Sequence, residues 1–294
     1  MSISDAEYHQ HRLGGLLAKF NRAKQQFDEL RFEMDEFFNQ DPKPHFFRGY
    51  FDTDTWEWIE RFQIREKPPL RFGVMLGDCV HNLRSALDHL ICQLTMLNGG
   101  TMDDCARTQF TIASKSEAQF EGMAKTQLAG LSPMHRAVVK SLQPYHAGDQ
   151  AWRHPLALLA ELSNADKHRL VNPTYSVLKT DSNAALKRLA EGTYEGDGPN
   201  PVVAWFMAKE GQRLEHDAVW FRIVFDRSIL TERPKEVKVS GHLTLGIAFG
   251  EIGLDADSYR HIGGAVLSII EWFMRRFPET KYIDTPRPEA PRGL

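Results

Sequence analysis

The stretch FGVMLGDCVHNLRSALDHLICQLTML, residues 72–97, decides the helical part of the fold. Its large apolar residues recur three or four positions apart, at Leu76, Val80, Leu83, Leu87, Leu90 and Leu94. That period gives an α-helix one apolar stripe, which has to be buried against neighbouring elements. Gly99 and Gly100 favour the end of the helix. The sequence therefore predicts a buried amphipathic helix over 72–97.

Helical periodicity continues on both sides of this stretch. Ser4 and Glu7 have the spacing of a capping box, and residues 13–37 carry apolar side chains three and four apart. This pattern predicts a long helix that packs on another helix of the chain or on a second subunit. Later helices are predicted where a polar residue precedes proline, at Ser132-Pro133 and His154-Pro155.

Signals of β-structure occupy the remaining segments. Residues 45–63 hold two aromatic-rich runs separated by four polar residues, which predicts a β-hairpin. Apolar and polar residues alternate over 219–225 and 237–249, as in half-buried strands. Trp205-Phe206 indicates a further strand, and 109–112 a short one. A last helix is predicted over 257–277.

The fold class predicted from these elements is α+β. A helical bundle over 1–175, carrying the hairpin at 45–63, is expected to precede an antiparallel sheet with a C-terminal helix over 176–285. The hairpin is expected to join that sheet, and the sheet half to pack on the bundle as one unit. The glycine-rich stretch 191–201 is predicted to be a loop and 286–294 a tail.

Composition excludes several classes of protein. The 294 residues include 36 Lys+Arg and 39 Asp+Glu, a formal net charge of −3 that argues against a nucleic-acid coat but allows a local basic groove. No stretch reaches the roughly 18 apolar residues of a membrane helix, and the N-terminus lacks a signal-peptide pattern. The three cysteines, Cys79, Cys92 and Cys105, show no C-x-x-C spacing and predict neither a disulfide framework nor a zinc knuckle. We expect a cytoplasmic protein that does not bind membranes.

Polar residues occupy the face of the 72–97 helix opposite the leucines. They are Asp78, His81, Asn82, Arg84, Ser85, Asp88 and His89. Arg84 and Asp88 are four residues apart and can form an ion pair. The string from Arg84 to His89 has the form R-x4-H and resembles the R-x(4 to 6)-H helix of HEPN-superfamily proteins.

Many HEPN proteins are metal-independent ribonucleases of toxin and defence systems, active as dimers. The resemblance therefore implies a homodimeric ribonuclease that acts on RNA without a cofactor. Arg84 would bind the scissile phosphate. His89 would move protons as the ribose 2′-hydroxyl attacks, because an imidazole pKa near 6.5 suits that work. The supporting residues would be His81, Asn82, Ser85 and Asp88.

The chain also resembles a broader set of uncharacterised bacterial proteins. These pair an H-N-x-R-S-A-L-D-H-L helix with a later helix ending in N-x-D-K-H-R, which correspond here to residues 81–90 and 164–169. This resemblance implies that the two polar clusters belong together. It adds to the candidate site Asn164, Asp166, Lys167, His168 and Arg169.

Each cluster also has a structural interpretation. Arg84 can pair with Asp88 inside the bundle while His89 caps a carbonyl, and residues 167–169 can complement a helix C-terminus. A metal site is the rival chemistry, with candidate ligands His81, Asp88, His89, Glu161 and His168. His81 and His89 are eight residues apart, too far to chelate together from one helix, so no metal is predicted.

Two functions remain open at this point. One is a HEPN-like ribonuclease, and the other is a non-enzymatic binding protein, such as a regulator or a defence component, that holds a nucleotide or a small anion in the same polar cleft. A nuclease requires His89 to be exposed at a dimer face, whereas a binder can keep it paired. Single-stranded bases could in addition stack on Trp56 and Trp58 beside Arg61 and Arg65, but packing within the sheet is favoured for these residues.

Overall fold

The computed structural model describes residues 13–168, 172–179, 200–209, 211–230, 232, 244–249 and 256–276, and within them the fold is the predicted mixture of helices and antiparallel strands. In chain order the elements are α1 (Gly14–Asn39), β1 (His45–Asp52), β2 (Glu57–Ile64), α2 (Arg71–Leu97), α3 (Met102–Cys105), α4 (Glu117–Gln127), α5 (Pro133–Ser141), a 3₁₀ segment (Pro144–Arg153), α6 (Pro155–His168), β3 (Pro173–Lys179), β4 (Val202–Met207), β5 (Ala218–Phe225), β6 (Thr244–Phe249) and α7 (Ala256–Arg276). No described helix is both long enough and apolar enough to cross a membrane.

The chain forms two compact units, each assembled from separate stretches of sequence. The first unit comprises Met1–Asp28, Leu76–His168 and Ser258–Leu294, and the second comprises Glu29–Met75 and Arg169–Asp257. The boundaries therefore do not follow a single division near residue 175. The backbone N–H and C=O groups at the edge of a strand need a second strand as hydrogen-bond partner, so the early hairpin groups with the later strands. The last helix, α7, groups with the early helices.

The first unit is built around α2. All six apolar residues of its predicted stripe are at most 2% exposed. Part of the apolar stripe of α1 contacts α7 of the same chain, where the ring of Phe27 stacks on Tyr259 with centroids 3.6 Å apart. The Tyr259 hydroxyl also donates a hydrogen bond to the carbonyl of Ala23 at 3.2 Å. This part of the heptad pattern is thus buried within one chain.

The strand predicted at 109–112 is wrong, because residues 108–113 are irregular. Side chains replace a neighbouring strand as hydrogen-bond partners of this backbone. The Gln143 amide accepts from the Ala113 N–H at 2.7 Å and donates to the Thr111 carbonyl at 2.9 Å. The apolar pattern that suggested a strand instead reflects burial of Phe110, Ile112 and Ala113.

Two of the three cysteines form a disulfide, a pairing that the sequence analysis did not predict. Cys92 in α2 and Cys105 at the end of α3 are joined by a disulfide, with their Cα atoms 4.8 Å apart. This separation lies within the range that a disulfide can bridge. The turn after α2 brings the two residues together, and their sequence spacing of 13 gives no sign of this contact. Cys79 is buried.

The second unit contains an antiparallel sheet in the order β1-β2-β5-β4 and a two-stranded sheet of β3 and β6. The predicted hairpin is confirmed, and it joins β5 as expected. Phe62 and Tyr175 form the core here, at no more than 1% exposure. Predictions for the Ser4 cap, the 191–199 loop, residues 237–243 and the tail lie outside the described residues.

His45 makes the stability of the second unit dependent on pH. Its ring stacks on Phe62 at a centroid distance of 5.6 Å, and its buried Nδ1 has no hydrogen-bond partner among the described residues. Burial first, and then the positive charges of Lys43 and Arg65, lower the pKa of His45 below 6.5. The unfolded chain therefore takes up this proton more readily than the folded chain, so stability falls as the pH drops below about 6.5.

We expect His45→Phe to remove part of this pH dependence. Urea unfolding of the variant and of the wild type, compared at about pH 5 and about pH 7.5, measures the difference. The free energy of unfolding should rise less between these pH values in the variant than in the wild type. His261→Phe, at an exposed position in α7, is the control. Equal pH dependence in the His45 variant and the wild type would contradict the prediction.

Candidate functional site

Arg84 and Asp88, which carry the R-x4-H resemblance, hold the backbone of the segment after α3. The Arg84 guanidinium lies 3.3 Å from the Asp88 carboxylate and donates to the Phe110 carbonyl at 2.7 Å. The same carboxylate accepts a hydrogen bond from the Phe110 N–H at 2.8 Å. One ion pair thus satisfies both backbone groups of Phe110, an arrangement that we call the Phe110 clamp.

The clamp is largely removed from water. The Arg84 side chain is 15% exposed and that of Asp88 is 28% exposed. Burial lowers the pKa of the Arg84 guanidinium, and the charge of Asp88 opposes that shift. The ion pair is the one predicted from the four-residue spacing. These contacts give Arg84 a structural role, which is to hold the backbone of Phe110.

His89 lies on an exposed part of the same helix. Partial desolvation and the positive charge of Lys19 lower its pKa, while Asp88 acts in the opposite direction. The imidazole is therefore biased toward its neutral form, in which one ring nitrogen accepts a proton. His81 is exposed as well.

The remaining polar residues of α2 differ in their surroundings. Asn82 donates hydrogen bonds to the Gln26 side chain at 2.9 Å and to the Asp78 carbonyl at 3.1 Å, so it links α2 to α1. Ser85 is half-buried. These contacts give Asn82 a packing role. The exposed members of this polar face are Asp78, His81 and His89.

The two helices that carry the second resemblance are in contact. The Asp166 carboxylate of α6 lies directly against Gly77 of α2, where an added Cβ would overlap it. This contact is one helical turn before His81. Asn164 and Lys167 are exposed, while the side chain of His168 and all of Arg169 lie outside the described residues. The structure thus brings α2 and the end of α6 together, as the paired motifs imply, through Gly77, which the sequence analysis did not single out.

Metal-ligating residues do not converge in the described part of the chain. No group of three or more His, Cys, Asp or Glu side chains there is arranged to hold a metal ion. His154, which directly precedes α6, uses Nδ1 to accept the Leu156 N–H at 3.2 Å, and burial lowers its pKa.

A second polar site, in the second unit, is a pocket of about 550 Å³ that we call the basic pocket. Its charged and polar lining residues are Arg65, Lys67, Thr174, Arg213, Glu215 and His216. This set contains three positively charged side chains and one carboxylate. The volume is within the range of small-ligand pockets, roughly 300–1,000 Å³. The lining therefore suits an anionic ligand of the size of a nucleotide.

Hydrogen bonding prepares one further donor at the basic pocket. The Nδ1 atom of His216 accepts a hydrogen bond from the Ile64 N–H at 3.1 Å, which assigns the proton of a neutral ring to Nε2. The buried hydroxyl oxygen of Thr174 has no hydrogen-bond partner among the described residues. A phosphate oxygen accepts hydrogen bonds from an imidazole N–H and from guanidinium and ammonium groups.

The sequence analysis named only Arg65 among these lining residues. The others come from turns after β2, from β3 and from the segment before β5, which are distant in sequence. Leu214 donates its N–H to the Tyr175 carbonyl at 3.0 Å, and this pairing brings residues 213–216 beside β3. The one available signal was the density of basic residues after the hairpin, Arg65 and Lys67.

Comparison with known proteins adds no relative to these observations. No protein-family model, no curated protein and no solved structure matches the chain.

Proposed function

We propose that this protein is a non-enzymatic binding protein for a phosphate-bearing ligand of nucleotide size. The observation that carries the proposal is the basic pocket, where three cations and a histidine line a volume of about 550 Å³. Phosphate recognition by arginine and lysine uses this combination of charge and hydrogen-bond donors. A bound ligand would stabilise the unit that holds it.

Removal of two pocket cations should weaken binding. We expect uridine 5′-monophosphate to bind the wild type, and Arg213→Gln combined with Lys67→Gln to weaken that binding by about a hundredfold or more, because each lost charge-assisted hydrogen bond costs about 1.5–3 kcal/mol. Isothermal titration calorimetry measures both dissociation constants. Uridine without the phosphate should bind weakly to both proteins.

The matched control removes two exposed charges from the first unit, Arg107→Gln with Lys125→Gln. It should retain wild-type affinity, which separates a pocket effect from a change in net charge. Equal affinity of the pocket variant and the wild type, or no heat of binding with any protein, would refute the proposal.

A metal-independent, homodimeric HEPN-like ribonuclease is the second candidate, favoured by the exposure of His89. The neutral bias of His89 suits a general base, and the Lys19 charge beside it would attract a phosphate. Arg84 would have to leave part of the Phe110 clamp to reach a scissile phosphate. Cleavage of a labelled mixed-sequence RNA in EDTA, lost in His89→Ala and retained in His261→Ala at an exposed position of α7, tests this candidate. Intact RNA with the wild type would count against it.

A further inference from the structure

One face of the four-stranded sheet carries aromatic and basic side chains in rows. Directly opposed residues of paired strands lie on the same face. The register pairs Tyr50 with Ile59, Ile59 with Arg222, and Arg222 with Phe206, which makes one row across all four strands. The neighbouring row pairs Arg48 with Arg61. We call this the aromatic-basic face.

The rings of this face are open to solvent. Phe46, Tyr50 and Phe206 are each 37% exposed. Phe46 and Tyr50 are four residues apart on β1, so they lie on the same side of the sheet, since alternate residues share a face. Large aromatic side chains that remain exposed together in a sheet indicate a contact surface.

Arginine side chains lie over two of these rings. The Arg65 guanidinium carbon is 4.5 Å from the centroid of Phe46, and that of Arg61 is 5.8 Å from the centroid of Tyr50. Arg61 also donates to the Tyr50 hydroxyl at 3.2 Å. These cation–π contacts hold planar cations and rings side by side at the surface.

The face carries an excess of positive charge. Its four arginines, Arg48, Arg61, Arg65 and Arg222, outnumber three carboxylates. These are Asp52, which is paired across the strands with Glu57, then Glu57 itself, 3.6 Å from Arg222, and Asp217, 3.3 Å from Arg61. Within the described residues, Arg48 and Arg65 form no ion pair. Arg65 also lines the basic pocket, so the face and the pocket are continuous. The tryptophans considered in the sequence analysis pack otherwise: Trp56 donates to the Leu230 carbonyl at 3.0 Å and Trp58 covers Gly49.

We propose that the aromatic-basic face binds single-stranded nucleic acid, with bases on the rings and phosphates on the arginines. The inference rests on the proposed function in one respect: the phosphate at the end of the strand enters the basic pocket beside Arg65. Nucleic acid is the partner because it presents flat bases and anions in alternation, and single-strand binders meet it with exposed aromatics in a positive groove. An acidic polypeptide would use the arginines and leave the rings without a stacking partner.

Fluorescence anisotropy tests the inference with probes of eight nucleotides labelled at the 3′ end, oligouridine RNA and oligothymidine DNA, each with and without a 5′-phosphate. We expect the full chain to bind, with an affinity that falls with salt by a slope of about −0.7 per phosphate contact. Phe46→Ala with Tyr50→Ala should weaken binding by about tenfold or more, the loss expected for base stacking. Phe32→Ala, at a phenylalanine that is 65% exposed on α1, should have no effect.

A further variant separates charge from fold. Arg48→Gln should reduce the salt slope by about 0.7, the value of one phosphate contact, while circular dichroism stays unchanged. Binding of both RNA and DNA, or a preference for either, supports the inference and shows which type of nucleic acid the face binds. Equal displacement of the probe by an octaglutamate peptide, or full affinity in the Phe46 and Tyr50 variant, would overturn it.

The outcomes also distinguish this inference from the proposed function. If the 5′-phosphate strengthens binding and Arg213→Gln with Lys67→Gln removes that gain, the pocket is supported whatever the face does. If the Phe46 and Tyr50 variant keeps the 5′-phosphate effect and the full affinity, the face fails and the pocket stands. If the face variant loses affinity and the 5′-phosphate has no effect, the face stands and the pocket fails.

Discussion

Arg84→Ala is expected to lower the free energy of unfolding by about 3 kcal/mol, because it leaves a partly buried carboxylate without its counter-ion. Asp88 would keep its hydrogen bond from the Phe110 N–H but lose the guanidinium 3.3 Å away. The Phe110 carbonyl would lose its donor at 2.7 Å. Phe110 itself is fully buried, so disturbance of its backbone reaches the core of the first unit.

Urea unfolding followed by circular dichroism measures this loss. Arg71→Ala is the matched control, since Arg71 pairs with Glu33 at 2.6 Å but its side chain is 62% exposed. Such surface pairs contribute about 0–1 kcal/mol. A loss for Arg84→Ala no larger than that for Arg71→Ala would show that the clamp does not stabilise the fold.

The same result decides how the ribonuclease candidate can be tested. Loss of cleavage in Arg84→Ala is ambiguous if the variant is partly unfolded. His89 is exposed and lies outside the clamp, so His89→Ala separates catalysis from folding more cleanly. For this reason the cleavage experiment depends on His89, with the exposed His261 of α7 as control.

Most elements of the fold follow from periodicity alone. The 3.6-residue period of α2 and α7 and the aromatic hairpin at β1 and β2 are confirmed, and Ser132 caps α5 by accepting the His135 N–H. These signals are local, since side-chain spacing along one segment determines which face is apolar. Element types were therefore predictable where the pattern was regular.

Pairings between distant segments were not predictable in the same way. The backbone of residues 109–112 forms hydrogen bonds with the side chains of Arg84, Asp88 and Gln143 and not with a neighbouring strand. Local spacing of side chains cannot show this. Nor can it show that Arg213 and His216 meet Arg65 at one pocket. The predicted Arg84–Asp88 pair was confirmed because its four-residue spacing is itself local. The pocket depends on contacts across more than a hundred residues.

Gly77 is the residue on which the contact between the two motif helices depends. In an open helix position, Gly→Ala gains about 1 kcal/mol from helix propensity. Here an added Cβ would overlap the Asp166 carboxylate, and overpacking costs about 1–3 kcal/mol. We therefore expect Gly77→Ala to destabilise the protein by about 1 kcal/mol, against the sign of propensity.

A double-mutant cycle with Asp166→Ala tests whether overlap with the Asp166 carboxylate is the reason that Gly77→Ala lowers the stability. Without the carboxylate, Gly77→Ala should stabilise by up to about 1 kcal/mol, so the coupling energy between the two sites should be about 2 kcal/mol. Urea unfolding of the four proteins measures it. A coupling energy near zero would mean that α2 and the end of α6 do not meet at Gly77. The implied association of the two polar clusters would then lose its structural support, because this contact is what places Asp166 one helical turn from His81.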